Sequence, residues 1–444
     1  MNESGQLPPW LEFFTFSNVN VTFVFVGCVL LGMSTGVLGC FAFLRKRSLL
    51  GDALAHAALP GVCVAFLLTG TKNPLIILGG AMVSCWLGAL SVELIVRYTR
   101  CKEDSALGMV LSVFFGAGIV LLTYIQRTGE AAQAGLDKFL FGQAAALIDG
   151  DVWTLGILSV LILAVVALAY KEFKVFSFDP DFAAAIGLPV RLVEIILATL
   201  IVVAVGIGLQ AVGVVLMAAM LVTPAAGARY WTDRLGIMLF AAGGFGALSG
   251  GLGAYISYLS PKMPTGPWMV VAATLLFAFS FFFAPRRGVL QRLLRYYRFR
   301  RRTAEENVLR TLYLLGEPLG NWVHSFSASE LLQYRSMPTP ELARTLSRLI
   351  VKALVIEPSQ GRYALTEFGV TRAARVTRLH RLWELYLTRK LEIAPDHVHD
   401  DAEEIEHILT PELERRLEAL LEHPEEDPHA SRIPGRLQPG ESGG

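Results

Sequence analysis

GDALAHAALPG, residues 51–61, lies between two long apolar segments, and this stretch decides how the chain folds. Its Asp52 and His56 stand four residues apart, so a helix would place both side chains on one face. Ionisable side chains inside a membrane helix are costly to bury and indicate a functional site by default. An imidazole beside a carboxylate suits Mn²⁺, Fe²⁺ or Zn²⁺. The segment therefore predicts a metal site in a membrane helix; a bundle histidine satisfied by its neighbours is the structural alternative.

Apolar runs of the length that spans a bilayer fill the first part of the chain. Of the 444 residues, 53% are hydrophobic, but residues 303–444 are charged and show ordinary amphipathic periodicity. We predict an all-α polytopic membrane protein with eight or nine transmembrane helices in a domain over residues 1–285. The predicted spans are 19–44, 52–70, 74–96, 106–125, 152–170, 191–209, 212–228, 236–259 and 267–284. Gly206, Gly208 and Gly213 make the seventh breakable, and a re-entrant segment there would leave eight spans.

Basic residues alternate between the predicted loops, and this pattern indicates the orientation of the chain. They cluster in every second loop: Arg45, Lys46 and Arg47; Arg97, Arg100 and Lys102; Lys171 and Lys174; Arg229 and Arg234; Arg286 and Arg287. The positive-inside rule assigns these loops to the cytosol. We therefore predict a multi-pass protein of the bacterial cytoplasmic (inner) membrane, with its N-terminus outside and its C-terminal domain in the cytosol.

Three further motifs accompany residues 51–61: FLFG at 139–142, FDPDFA at 178–183 and GVVLM at 213–217. Together they make residues 18–284 resemble the permeases of the zinc/manganese/iron ABC importer family. The resemblance implies that Asp52 and His56 lie on the metal path of a homodimer or a pair of permeases, which would double the two ligands. It also implies an extracytoplasmic metal-binding protein and cytosolic ATPase subunits. The chain has no Gly-x-x-x-x-Gly-Lys-Ser/Thr phosphate loop, so we expect a separate ATPase polypeptide and no enzymatic activity here.

The loop at 171–191 is predicted to be the docking surface for that ATPase. It is the longest of the cytosolic loops between spans, and residues 181–187 can form a short amphipathic helix ended by glycine. The candidate docking residues are Asp179, Asp181, Phe182, Ala185 and Gly187. An ordinary ordered loop is the alternative.

Eight arginines lie between residues 286 and 302, with Tyr296 and Tyr297 among them. Directly after the last span, this basic juxtamembrane linker (residues 286–303) predicts contact with anionic lipids. Contact with nucleic-acid phosphates is the alternative. The segment also has the composition of an exposed hinge, at which a protease would separate the two parts of the chain.

The soluble part begins with the element order of a winged helix-turn-helix, predicted over residues 304–370. Ser327 and Glu330 fit a capping box, and Thr339 as N-cap with Pro340 at the first helical position begins another helix. A hairpin follows at 355–365. We predict that four residues of the helix from 339 project outward and contact promoter DNA: Arg344, Thr345, Arg348 and Lys352. A solvated helix face is the alternative.

A second group of metal-binding residue types lies further along, in a predicted region of metal-sensing and dimerisation helices at 371–435. His380 and Glu384 are four residues apart on a long helix, and the downstream members are His399, Glu403, Glu406 and His407. Histidines with carboxylates and without cysteine favour Mn²⁺, Fe²⁺ or Zn²⁺ as the cofactor. A charged helix surface is the alternative. Residues 436–444 are rich in Pro, Gly and Ser and are predicted to be disordered.

Three motifs carry a second resemblance: RLHRLWE at 378–384, VHDDAEEIEH at 398–407 and DPHASRIPG at 427–435. Residues 304–435 resemble the diphtheria-toxin-repressor family of Fe/Mn-dependent regulators. By this resemblance His380, Glu384, His399 and Glu403 form one ligand set, while Glu406 and His407 match a second, regulatory set. Glu403 stands where iron-type members have cysteine and manganese-type members have glutamate. The chain departs from the family at Asn307 and Arg310, near which manganese-type members place carboxylates.

The two resemblances together predict a permease subunit of an ATP-driven importer of a divalent transition metal, fused to a metal-responsive DNA-binding regulator. In the alternative function, the C-terminal domain is a metal-sensing gate that regulates transport without binding DNA.

Overall fold

The computed structural model describes residues 13–15, 19–47, 49–71, 74–127, 149–259, 263–391, 411–421, 424–429 and 431–435. The chain forms two compact units, Met1–Arg292 and Leu293–Gly444, which we call the membrane unit and the soluble unit. The FLFG motif and the predicted ligands His399, Glu403, Glu406 and His407 lie outside the described residues.

The membrane unit is built from helices. Its described helices are α1 (Val19–Leu44), α2 (Leu50–Thr69), α3 (Pro74–Tyr98), α4 (Glu103–Arg127), α5 (Asp149–Leu168), α6 (Tyr170–Phe178), α7 (Pro180–Ala185), α8 (Val190–Ala211), α9 (Val214–Arg229), α10 (Leu235–Leu259) and α11 (Thr265–Phe283). A short 3-10 helix, Phe13–Thr15, precedes them. The all-α fold predicted from the apolar runs is confirmed.

Seven helices in the described part of the chain are long and apolar enough to cross a membrane. The pair α5 and α6, bent by 71°, gives an eighth if it is counted as one span. The seventh predicted span is the 16-residue helix α9, which is shorter than a bilayer requires. Helix α9 begins after Gly213, which has a φ of 94° that glycine adopts readily. The helix is therefore interrupted at Gly213, one of the glycines at which a break was predicted.

Close backbone packing fixes the membrane unit around α1 and α2. A Cβ atom on Gly246 of α10 would overlap the main-chain oxygen of Gly32 of α1, so only glycine permits this approach. Gly61 of α2 and Gly80 of α3 meet in the same way. Because α2 carries the candidate ligands, its packing against α3 determines where those ligands lie.

The soluble unit contains a winged helix-turn-helix. Its described elements are α12 (Val289–Gly316), which begins in the membrane unit, a 3-10 turn (Glu317–Leu319), β1 (Phe326–Ser327), α13 (Ala328–Tyr334), α14 (Thr339–Val351), β2 (Val355–Ser359), β3 (Arg362–Leu365), α15 (Glu367–Leu391) and α16 (Pro411–Leu420). The strands form an antiparallel sheet in the order β1-β3-β2. Leu312 of α12, Leu349 of α14 and Val355 of β2 lie in one buried apolar core. The predicted element order is confirmed.

The helix ends of the soluble unit test the capping predictions. Ser327 and Glu330 form the predicted capping box at the start of α13. At α14 the prediction was wrong by one residue, because the helix begins at Thr339 and Pro338 is its N-cap. Pro338 is extended (ψ 130°), so the helix can begin directly after it, and α14 has no side-chain cap.

The basic linker is helical from residue 289, because α12 continues without a break from Val289 to Gly316. The predicted boundary between residues 303 and 304 therefore falls inside a helix.

Candidate functional sites

Asp52 and His56 lie on one face of α2, as their spacing predicted. His56 Nε2 is 3.4 Å from Asp52 Oδ1, and the two side chains are 13% and 33% exposed, respectively. The ring of Phe115 on α4 stands edge-on to the imidazole, with 4.7 Å between centroids. His56 Nδ1 is buried and has no hydrogen-bond partner within the described residues. Nε2 of the imidazole thus faces the Asp52 carboxylate, and Nδ1 remains available to coordinate a metal ion.

The local sequence of α2 adds an oxygen near this pair. Pro60 lies inside the helix and has no N–H, so the main-chain carbonyl of His56 lacks its usual helical donor. On the neighbouring α3, the Cys85 thiol donates to the carbonyl of Leu54 at 3.1 Å and ties the two helices together. The sequence around His56 therefore offers a carboxylate, an imidazole and a carbonyl oxygen.

Within the described ranges, no three His, Cys, Asp or Glu side chains lie close enough to hold a metal ion. Asp52 and His56 are thus a partial ligand set. Of the other acids in predicted spans, Glu93 is exposed on α3, and Glu194 on α8 pairs with arginines.

An ion-pair cluster that the sequence did not reveal lies directly before α2. Arg47 contacts Glu103 at the start of α4 (2.5 Å) and Glu194 near the start of α8 (2.8 Å). Arg45 also contacts Glu194, and its guanidinium lies 4.1 Å from the ring centroid of Phe176 on α6. Burial, assisted by the charge of Arg47, lowers the pKa of Arg45 although Glu194 opposes the shift. The cluster joins the connection between α1 and α2 to α4, α6 and α8, directly before the start of the helix that carries Asp52.

The predicted docking segment forms the short helix α7. The Asp179 side chain caps it by accepting from the Phe182 N–H at 2.9 Å, and Gly187, with φ 84°, follows its end. Asp181 and Ala185 are exposed, and so are the apolar side chains of Phe182 (55%) and Ile186 (54%). The predicted short helix is confirmed, and it presents an apolar surface.

In the soluble unit, His380 and Glu384 form a buried pair on α15. His380 Nε2 lies 2.9 Å from Glu384 Oε1, and the side chains are 2% and 3% exposed. Asn307 on α12 is also buried, and its Oδ1 has no hydrogen-bond partner in the part of the chain that the structure describes. An imidazole and a carboxylate fit the predicted metals, but only this part of the predicted ligand set can be placed.

Ion pairs of three arginines fix α15 next to this pair. Arg375 and Arg378 bind Glu414 and Glu418 of α16, respectively. Arg381 binds Glu317 at 2.7 Å. Burial alone would lower the pKa of Arg381, but the hydrogen bonds and charge of Glu317 raise it overall.

The predicted DNA-contacting face needs one correction. Thr345 does not project outward: it is fully buried, and its hydroxyl donates to the Glu341 carbonyl at 2.8 Å. It falls within the apolar stripe of α14, three residues after Leu342 and four before Leu349. Without Thr345, the predicted DNA-contacting face consists of three basic residues.

These three basic residues differ in their surroundings. Arg344 is exposed. Lys352 contacts Glu305 of α12 at 2.5 Å, and Arg348 contacts the same carboxylate at 3.4 Å. Arg344 is therefore the strongest candidate for contact with an external anion.

Comparison with known families assigns both parts of the chain. Residues 18–284 match the ABC 3 transport family. The chain belongs to this family. Residues 366–435 match a second family, described as iron dependent repressor, metal binding and dimerisation domain. Both predicted resemblances are confirmed by these matches.

Two relatives match this chain over most of its length. The manganese transport system membrane protein MntC of Bacillus subtilis (strain 168) is 44% identical over 387 residues, which cover 87% of each chain. A probable metal transport system membrane protein of Chlamydia trachomatis is 31% identical over 439 residues, 93% of this chain and 96% of that one.

A solved structure supports the fold of the membrane unit. PsaBC from Streptococcus pneumoniae in complex with Fab is 32% identical, with a TM-score of 0.57. The similarity covers 65% of this chain and 99% of that chain. The chain is thus a membrane permease of the ABC type with a repressor-type domain fused to it.

Proposed function

We propose that this permease imports Mn²⁺, Fe²⁺ or Zn²⁺ across a bacterial cytoplasmic membrane, driven by a separate ATPase. The observation that carries the proposal is the Asp52–His56 pair on α2. The buried Nδ1 of His56 has no hydrogen-bond partner within the described residues and is available to coordinate a metal ion. The names of the relatives, which include manganese and zinc transport proteins, support this class of cargo.

In the proposed cycle, an extracytoplasmic binding protein delivers the metal to a pair of permeases. The Asp52 carboxylate supplies negative charge, and His56 supplies the nitrogen that a borderline metal prefers. Two related copies of the pair would complete a four-ligand site between two permeases. Exposure of Asp52 lets the ion exchange its water molecules as the path opens to the other side.

The ATPase would dock on α7 through the exposed apolar side chains of Phe182 and Ile186, with Asp179, Asp181, Ala185 and Gly187 around them. Transport then follows alternating access, because ATP binding and hydrolysis move α7 and the helices attached to it. The basic loops support a cytosolic position for this surface.

Metal accumulation in cells tests the transport site. Cells would express the chain with its ATPase and binding protein, and carry wild type, Asp52→Asn or His56→Gln. Both substitutions keep side-chain volume but remove a metal ligand, so we expect accumulation of the cargo metal to fall at least about tenfold. Glu93→Gln is the matched control, because it removes an exposed membrane-helix carboxylate outside the pair. Normal uptake in both ligand variants would contradict the proposed metal path.

We further propose that the soluble unit binds promoter DNA in response to metal. The winged helix-turn-helix supports this role, and Arg344 on the exposed side of α14 is the proposed contact, with Arg348 and Lys352 beside it. His380 and Glu384 would hold the regulatory metal, which would stabilise the α12–α15 region in its DNA-binding form. The remaining predicted ligands lie outside the described residues.

A binding experiment separates this role from a metal-sensing gate. The full chain in lipid nanodiscs would be titrated with a labelled duplex from its own promoter, with manganese or with chelator. We expect metal-dependent binding that Arg344→Ala weakens, by about 1–3 kcal/mol if the arginine reads a base. Arg416→Ala is the control, because Arg416 is exposed and its ion pair with Glu412 lies within α16. Metal binding without DNA affinity, combined with faster uptake after deletion of residues 304–444, would favour the gate.

A further inference from the structure

The first half of α12 has two chemically opposite faces. Leu290, Leu293, Leu294 and Tyr297 recur at i, i+3, i+4 and i+7, so they form one apolar stripe. All four are exposed, with fractions of 45%, 47%, 40% and 54%. An exposed stripe of large apolar side chains indicates a surface that binds a membrane or a protein partner.

Arginines occupy the other side of the same turns. Arg292, Arg295 and Arg298 follow one another at intervals of three residues and are exposed. With about 100° of rotation per residue, Arg292 and Arg295 lie on the side of the helix opposite to Leu290 and Tyr297, while Arg298 lies at the edge of the apolar stripe, one turn after Leu294. A helix with an arginine face and a leucine/aromatic face has the pattern of a helix that lies in a membrane interface.

The chain keeps this helix close to a bilayer. Helix α11, one of the apolar helices of membrane-spanning length, ends at Phe283, and α12 begins at Val289. The five residues between them reach at most about 18 Å when fully extended. The start of α12 is therefore within one interfacial layer of the end of a span, and its arginines lie where anionic headgroups would attract them.

We infer that residues 289–298 bind the anionic surface of the membrane as an in-plane amphipathic helix. Leu290, Leu293, Leu294 and Tyr297 enter the boundary between headgroups and acyl chains, and the arginines bind lipid phosphates. Nucleic acid shares the phosphate chemistry but offers no apolar layer for the leucine stripe, so the lipid surface fits both faces.

This arrangement has a consequence for the soluble unit. Helix α12 continues without interruption into the residues that form the core of the winged helix, including Val308 and Leu312. The segment proposed to bind lipid, residues 289–298, is thus joined to the winged helix by continuous helix. The inference requires α11 to span the membrane but does not depend on which metal is carried.

Spin-label accessibility in the full chain tests the inference. Cys101→Ser removes the exposed cysteine, and the other four are buried, so Leu294→Cys and Arg292→Cys can each be labelled in that background. The two positions are matched, since they are two residues apart and lie about 160° apart around the helix, on opposite faces. The protein would be placed in nanodiscs of phosphatidylcholine alone or with phosphatidylglycerol, and collisions with oxygen and with aqueous chromium oxalate would be compared.

In phosphatidylglycerol nanodiscs we expect the label at 294 to favour oxygen several-fold and the label at 292 to favour chromium oxalate. In phosphatidylcholine alone, the difference should shrink. Equal access of chromium oxalate to both labels in phosphatidylglycerol would overturn the inference. So would protection of position 294 that appears only after duplex DNA is added, because this result would assign the helix to nucleic acid.

Discussion

Two described helices each carry a histidine and a carboxylate four residues apart, and the two pairs have opposite surroundings. In the membrane unit, Asp52 and His56 are 3.4 Å apart, and the carboxylate side chain is 33% exposed. In the soluble unit, His380 and Glu384 are 2.9 Å apart and almost completely buried. The spacing predicts a shared face in both cases, but the packing around it determines whether the pair is accessible.

This difference predicts different roles for the two pairs. An accessible pair contributes little to stability, so it can exchange ions without unfolding its surroundings. Removal of one partner from a buried pair leaves the other without compensation in a medium of low polarity. We therefore expect substitutions in the membrane pair to affect transport and those in the soluble pair to affect folding first.

The largest effect is expected for Glu384→Ala. It removes the carboxylate that lies 2.9 Å from the buried His380, and we expect the free energy of unfolding of the soluble unit to fall by about 3–5 kcal/mol. Urea unfolding of the full chain in detergent, followed by protection of soluble-unit amides from hydrogen exchange, measures this change. Glu412→Ala breaks an exposed pair with Arg416 and should cost at most about 1 kcal/mol. Equal losses in the two variants would contradict the comparison.

An intermediate effect is expected for Glu194→Gln, because the ion-pair cluster before α2 is half-buried. The substitution leaves Arg45 and Arg47 close together without the carboxylate that both contact. We expect the membrane unit to lose about 1 kcal/mol, which thermal unfolding in nanodiscs would detect. Asp233→Asn is a matched control, since Asp233 also contacts two arginines, Arg229 and Arg287, but is more exposed. A larger loss in the control would show that burial does not govern these pairs.

Local chemistry made much of this fold predictable from the sequence. Apolar runs of about 20 residues indicated the spans, because a bilayer sets that length. The capping box at Ser327 and the glycine after α7 were readable because each involves residues within one or two turns. The shared face of Asp52 and His56 followed from helical periodicity alone.

Features that depend on distant residues were not predictable. Arg47 and Glu194 are 147 positions apart, and no local pattern indicates that they meet. The burial of Thr345 follows from which side of α14 packs on the core, and the charge pattern had suggested the opposite side. The continuity of α12 through the arginine-rich segment was also missed, because its composition resembled a linker while its apolar stripe supports a helix.

A smaller effect on stability is expected for Asp52→Asn, although transport should be lost. The exposed carboxylate contributes less than about 1 kcal/mol through its contact with His56. Thermal unfolding of the purified protein should therefore resemble wild type, while metal accumulation falls. A loss of stability as large as that of Glu384→Ala would show that the membrane pair is structural, and the proposed transport site would then be wrong.

The smallest effect concerns an exposed carboxylate whose largest interactions are two hydrogen bonds from Ser327. The Ser327 hydroxyl and main-chain N–H lie 2.7 and 2.6 Å from the Glu330 carboxylate, and these two contacts lower the pKa of Glu330. Because the pKa is lower in the folded state, the carboxylate stabilises the soluble unit above its unfolded value, about 4.5. That contribution is lost as the pH falls from there through the folded pKa.

Urea midpoints of the soluble unit would be measured between pH 3 and 6. This range extends about one unit or more on each side of the ordinary glutamate pKa. We expect Glu330→Gln and Ser327→Ala each to flatten the acid side of the profile relative to wild type. Ser347→Ala should leave its shape unchanged, because the Ser347 hydroxyl bonds the Ala343 carbonyl and no carboxylate. If the pH profile of Glu330→Gln equals that of wild type, the acid sensitivity arises in the buried part of the unit. The comparison of exposed with buried carboxylates would then rest on Glu384 alone.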